Sequence, residues 1–117
     1  MKNLILIISV LVVSACATTS TMKSVAGTYE VKRGEDTIRM VFLENGIAWP
    51  YKNGKKIELE AKWKIIDGAI HAEDKNGTGV YRINKDGSLT AIAEIDKNGN
   101  RTDAPKEILS VIIKKIK

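Results

Sequence analysis

The sequence has one cysteine and one histidine in 117 residues. A single cysteine, Cys16, excludes a disulfide framework within the chain. The lone histidine, His71, leaves too few nitrogen and sulfur donors for a zinc site, which takes three or four protein ligands. No glycine-rich phosphate loop is present, and strand or helix periodicity brings no serine, histidine and aspartate together. Long apolar runs are also missing. The longest, LILIISVLVV over 4–13, is broken by Ser9 and is far short of the roughly 20 helical residues that cross a bilayer core. A domain built from this chain must rest on burial and backbone hydrogen bonding alone.

What is present begins with a short basic start, Met1-Lys2-Asn3, then the apolar run, then the small residues Ser14-Ala15 before Cys16. This is the layout of a secretory signal. Val13-Ser14-Ala15-Cys16 resembles the bacterial lipobox, in which an aliphatic residue and two small ones precede a lipid-modified cysteine. The resemblance implies a diacylglyceryl group on the Cys16 sulfur and cleavage between Ala15 and Cys16. It divides the chain into a lipoprotein signal peptide (1–15), a lipidated tether (16–24) and a folded domain (25–117). Two or more acyl chains anchor a protein stably where one does not. A sulfur so occupied is not available as a nucleophile. Ala17 stands where enteric lipoproteins retained at the inner membrane carry aspartate, so the resemblance favours the outer membrane, facing the periplasm.

The net charge is +5, and losing Lys2 with the signal leaves +4. With 28% charged residues of both signs, this describes a mixed, soluble surface. Export removes nucleic acid as a partner. Residues 17–24, ATTSTMKS, are small, polar and aperiodic, as a tether requires.

From Gly27 onward the pattern is alternation punctuated by turn dipeptides. Tyr29 and Val31 share a face, as do Ile38, Met40 and Phe42. Asn45-Gly46 reads as a hairpin, and Ile47, Trp49 and Tyr51 as the next inward set. Pro50 lacks a backbone donor, so its strand is an edge or is bulged there. After Asn53-Gly54, the residues Ile57, Leu59, Ala61, Trp63 and Ile65 alternate with charged ones, the longest strand pattern in the chain. Asp67-Gly68, Asn76-Gly77, Asp86-Gly87 and Asn98-Gly99 punctuate three further strands, with Tyr81 and Ile83 inward on one and Leu89, Ala91, Ala93 and Ile95 aligned on the next. The motifs DKNG, NKDG and DKNG at 74, 84 and 96 share turn chemistry. The carboxyl end reads two ways. Asp103 and Pro105 can start a helix. The β-branched run Val111, Ile112, Ile113 and Ile116 favours a strand from about Leu109 to Ile116, covering an open sheet edge.

The expectation is an all-β fold: a single small antiparallel up-and-down meander or barrel of about eight short strands. Gly27-Thr28-Tyr29, the succession of hairpins and the basic final strand resemble the lipocalin-like domains of small bacterial lipoproteins. Tyr29 stands where lipocalins carry a signature tryptophan, and the strands are short, which speaks against a large internal cavity.

Four aromatic residues, Tyr29, Trp49, Trp63 and Tyr81, are candidates to line a ligand pocket or to fill a core. His71 and Glu73 share a strand face and read as an acid–base pair or an exposed surface pair. Asp96, Asn98 and Asn100, with Asp103 and Glu107 beyond, match the alternate oxygen spacing of a calcium loop, or a turn rich in Asp and Asn for backbone reasons. The basic end, Lys114-Lys115-Ile116-Lys117, reads as a solvated strand end or a contact for anionic lipid. The sum is a membrane-anchored, non-enzymatic binding or envelope module without a cofactor. Its expected partners are the membrane, through lipid on Cys16, and a small hydrophobic ligand or an envelope protein. Inhibition of an exported or host hydrolase is the alternative.

Overall fold

The computed structural model describes residues 22–117. The signal, Ala15, Cys16 and most of the tether lie outside the described residues. The described chain is all-β but for two single helical turns. Its strands are β1 (Gly27–Arg33), β2 (Asp36–Phe42), β3 (Ile47–Lys52), β4 (Lys55–Lys56), β5 (Ala61–Ile66), β6 (Ala69–Asp74), β7 (Gly77–Ile83), β8 (Leu89–Ile95), β9 (Arg101–Asp103) and β10 (Lys114–Lys115), with a helix α1 (Lys106–Leu109) between the last two. All pair antiparallel, in the order β10-β1-β2-β3-β5-β6-β7-β8-β9, and β4 pairs with β3.

The carboxyl end closes this meander. Lys114 and Lys115 pair with Glu30 and Tyr29 of β1. Ile113, one residue earlier, exchanges two backbone hydrogen bonds of 2.8 and 2.9 Å with Leu89 at the start of β8. One short segment thus spans the gap between the first long strand and the last, and neither is left as a bare edge. The segment is not the continuous strand expected from Leu109. Pro105 starts a single helical turn, Lys106–Leu109, and pairing begins only at Ile113. Proline at a helix start and the β-branched run each act locally, the first before the second.

Turn length decides which face of β3 is inside. Two loop residues, Asn45 and Gly46, would pair Phe42 with Trp49 and turn Trp49 and Tyr51 inward. The loop instead has three, because Leu43 donates to Ile47 and Gly46 donates back to Leu43. Phe42 then pairs with Ala48 and Met40 with Pro50. A register change of one residue exchanges the faces of a strand. Ala48 and Pro50 therefore face inward, and Trp49 and Tyr51 share the outer face with Val41 and Arg39. The Lys56 ammonium lies 3.6 Å from the centre of the Trp49 ring.

Pro50 also shortens the strand expected from Ile57. On its second side β3 pairs with β5 only at Ile47 and Ala48, then with β4 at Tyr51 and Lys52. Between these, Pro50 has no N–H to give, and its carbonyl accepts from Ile57. Residues 57–60 leave the sheet, Ile57 is exposed, and the strand starts at Ala61.

One end of the closed sheet is filled. Tyr29, Phe42, Trp63, Ile70, Leu89 and Ile113 are buried there together with Val25. The Tyr29, Phe42 and Trp63 rings meet edge to face, with centroids 5.6 and 5.3 Å apart. Such pairs add about 0.5–1.5 kcal/mol each beyond the area they bury. Polar atoms carried into this core are satisfied: the Tyr29 hydroxyl donates to the Val25 carbonyl and the Trp63 indole N–H to the Leu43 carbonyl at 2.8 Å. Residues 22–25 form a helical turn, and Met22 packs on the same core, so the last part of the expected tether belongs to the domain.

Candidate functional site

The other end of the sheet is hollow, and the reason is the size of the inward residues. Near the turns at Asn45, Asp67 and Asp86, the inward positions carry Phe42, Trp63, Ile70 and Leu89. Two residues further along each strand, toward the opposite end, the same face carries Met40, Ala61, Ala72 and Ala91. Ala72 pairs with Gly79 of β7, which has no side chain at all. Small residues at one level of a closed sheet leave space that no neighbour fills.

The space has two lobes. The larger has a volume of about 410 Å³, with Phe42, Met40, Leu59 and Ala72 on its apolar floor and walls. Its mouth is polar and lies at the turns after β6 and β8, with Asp74, Asn76, Glu94, Asp96 and Asn100 around it. The smaller, about 330 Å³, is bounded by Val31, Ile38 and Ala91 of the strands and by Ile108 and Val111 from α1 and the turn after it. Met40, Tyr81, Glu94 and Thr102 border both. Each volume falls within the range of small-molecule pockets.

Tyr81 is the central polar group. Its ring lies over Gly79, where a β-carbon would sit 3.0 Å from the hydroxyl oxygen. The side chain is half-buried and borders both lobes of the cavity. The hydroxyl makes no hydrogen bond to a described residue. Burial first, then the carboxylates of Glu94 and Asp74, push its pKa up, with Arg33 acting in the opposite direction. It is therefore a neutral donor and acceptor at physiological pH. Gly77 lets the strands close around this site: with φ at +144° it brings the Ile95 carbonyl within 2.6 Å of where a β-carbon would be.

The four aromatic candidates do not form one pocket. Tyr29 and Trp63 fill the closed end, and Trp49 is on the outer face of β3, touching the larger lobe at its edge. Tyr81 alone is central to the cavity. Met40, Ala72, Gly79 and Glu94 are site residues that the alternation pattern does not reveal. Gly79 carried the one available sign, since glycine inside a strand marks a bulge or a close approach. A bulge does follow it, where Val80 pairs with Ala93 but Tyr81 with Ala91, so Ala91 and Ala93 are not simply aligned.

His71 and Glu73 face Lys64 and Lys62 on the outer side of β5 and β6. Burial, then Arg101 and Lys64, lower the His71 pKa against a raising effect of Asp67. The Asp96 carboxylate accepts the backbone N–H groups of Asn98 and Asn100, each at 2.9 Å, and these bonds hold its pKa below the ordinary carboxylate value. That arrangement builds the hairpin turn of Asp96 to Asn100. Among the described residues no group of three His, Cys, Asp or Glu side chains is placed to hold a metal ion. Lys115 at the basic end donates to the Ser24 carbonyl at 2.9 Å.

Comparison with protein-family models, with curated proteins and with solved structures finds no match to this chain.

Proposed function

We propose that this chain is a lipid-anchored, non-enzymatic module of the bacterial envelope that holds a small, partly apolar ligand in the cavity around Tyr81. The observation that carries the reading is the cavity itself: an apolar floor, a polar mouth and one half-buried hydroxyl that bonds no described residue. A hydroxyl that bonds no described residue and opens on the cavity is free to orient a ligand there.

The lipobox resemblance at Val13-Ser14-Ala15-Cys16 supports the anchor. The helical turn at 22–25 packs on the closed end, opposite the cavity mouth. From Cys16 to Met22 the chain can reach at most about 20 Å. A membrane holding Cys16 would then lie near the closed end, and ligand would enter from the aqueous side.

Two measurements on the full chain test the two halves. Mass spectrometry of protein expressed in a bacterium with lipoprotein processing should find an amino terminus at Cys16 with acyl mass added. The Cys16→Ser variant should leave the membrane fraction. An unprocessed, unacylated wild-type chain would overturn the anchor. Native mass spectrometry of the extracted protein should find a bound small molecule that is lost in a variant with a filled cavity. A ligand retained equally by the filled variant would overturn the assigned cavity.

A further inference from the structure

The charge around the larger lobe runs against the charge of the protein. The chain carries 19 basic and 14 acidic residues. Yet Asp74, Glu94 and Asp96 border this lobe, and no lysine, arginine or histidine does. The three carboxylates differ in what they already do. Asp74 accepts the Asn76 N–H at 2.7 Å, and Asp96 accepts two N–H groups of its own turn. Glu94 has neither a hydrogen bond nor an ion pair with a described residue. Its register places it across from Gly79 on one side and Thr102 on the other, on the face where Tyr81 lies over Gly79. The half-buried Tyr81, whose hydroxyl bonds no described residue, is a second polar group bordering the same space.

We propose that the larger lobe selects an amphiphilic organic cation: an ammonium group at Glu94 and the Tyr81 hydroxyl, with its apolar body on Phe42, Met40 and Leu59. This rests on the reading of the cavity as a ligand site and adds the sign of the ligand's charge. Arg33 borders the smaller lobe, which Glu94 and Tyr81 also border, but the larger lobe is lined by carboxylates alone among charged groups, which repel an anionic head group and attract a cationic one. The tyrosine oxygen accepts an N–H, and its ring edge borders the apolar part.

The experiment compares three probes of one chain length, octylammonium, octanol and octanoate, titrated calorimetrically into the full protein at pH 7 and low salt. Octylammonium should bind about threefold to fivefold tighter than octanol, and octanoate most weakly, a difference of the size one exposed charge pair supports. Glu94→Gln should lower octylammonium affinity about threefold to fivefold and remove its advantage over octanol. Glu94 is exposed, so this variant keeps the fold, and circular dichroism checks it. Octanoate binding as well as octylammonium, or an unchanged cation affinity in Glu94→Gln, would overturn the cation preference while octanol binding still upheld the ligand site. Failure of all three probes to bind would overturn the ligand site and the preference together.

Discussion

A β-carbon on Gly79 would lie 3.0 Å from the hydroxyl oxygen of Tyr81 and 3.1 Å from its ring carbon Cε2. The bare strand position and the ring that crosses it are one device: the glycine admits the tyrosine, and the tyrosine divides the hollow end into two lobes. Gly79→Ala should push the ring a few tenths of an ångström toward the cavity, and Gly79→Val should fill the space. Affinity for octanol, followed by calorimetry, should fall slightly in the first and by at least about tenfold in the second. Equal binding by the valine variant would place the ligand elsewhere.

The filled and hollow ends should respond oppositely to changes in side-chain size. Phe42 is 2% exposed and meets two rings edge to face, so Phe42→Ala should cost about 3–5 kcal/mol in urea unfolding. Ala72→Val adds volume where there is space, and should stay within about 1 kcal/mol of the parent. A severe loss in Ala72→Val would show that the end of the sheet around Ala72 is already packed.

Closure by the carboxyl end makes a prediction about association. Ile113 is buried and pairs with Leu89, so Ile113→Ala should cost about 2–5 kcal/mol. A chain ending at Ile112 exposes the edges of β1 and β8. Exposed edges pair with other chains, and sedimentation should show concentration-dependent self-association that the full chain lacks.

His71 gives a pH window. Its folded pKa lies below its ordinary value of 6.5, through burial and the nearby Arg101 and Lys64. As pH falls through 6.5 the unfolded chain takes up a proton that the folded chain resists, so stability decreases with falling pH until the folded pKa is passed. His71→Gln should flatten the stability profile in the window just below pH 6.5. Asp36, Asp86 and Asp96, all lowered by hydrogen bonds, contribute stability that is lost only as pH falls below 3.8, and that limb should survive the substitution. An unchanged profile in the upper window would remove His71 as its source.

The order of strands was legible because alternation and Asn-Gly or Asp-Gly turns are local chemistry. The face of β3 was not, because it depends on whether Glu44 joins the loop, and the dipeptide Asn45-Gly46 is the same in either case. The strand from Ile57 failed through a neighbour: Pro50 is distant in sequence from the residues whose pairing it denies. The carboxyl end held both readings, a helical turn after Pro105 and pairing from Ile113. The cavity was hidden because alternation records polarity and not size. Ala72 and Ile70 count alike as apolar, yet one opens a space and the other fills one.

The end of the sheet around Tyr81 is hollow, and a ligand seated there would be seen in backbone and indole NMR shifts during an octanol titration. Saturable shifts are expected at Gly79, Tyr81 and Glu94, with the Trp63 indole N–H, bonded to Leu43 in the closed end, unmoved. Shifts centred on Trp63 or on the outer face at Tyr51, or no saturable shifts at all, would contradict that placement.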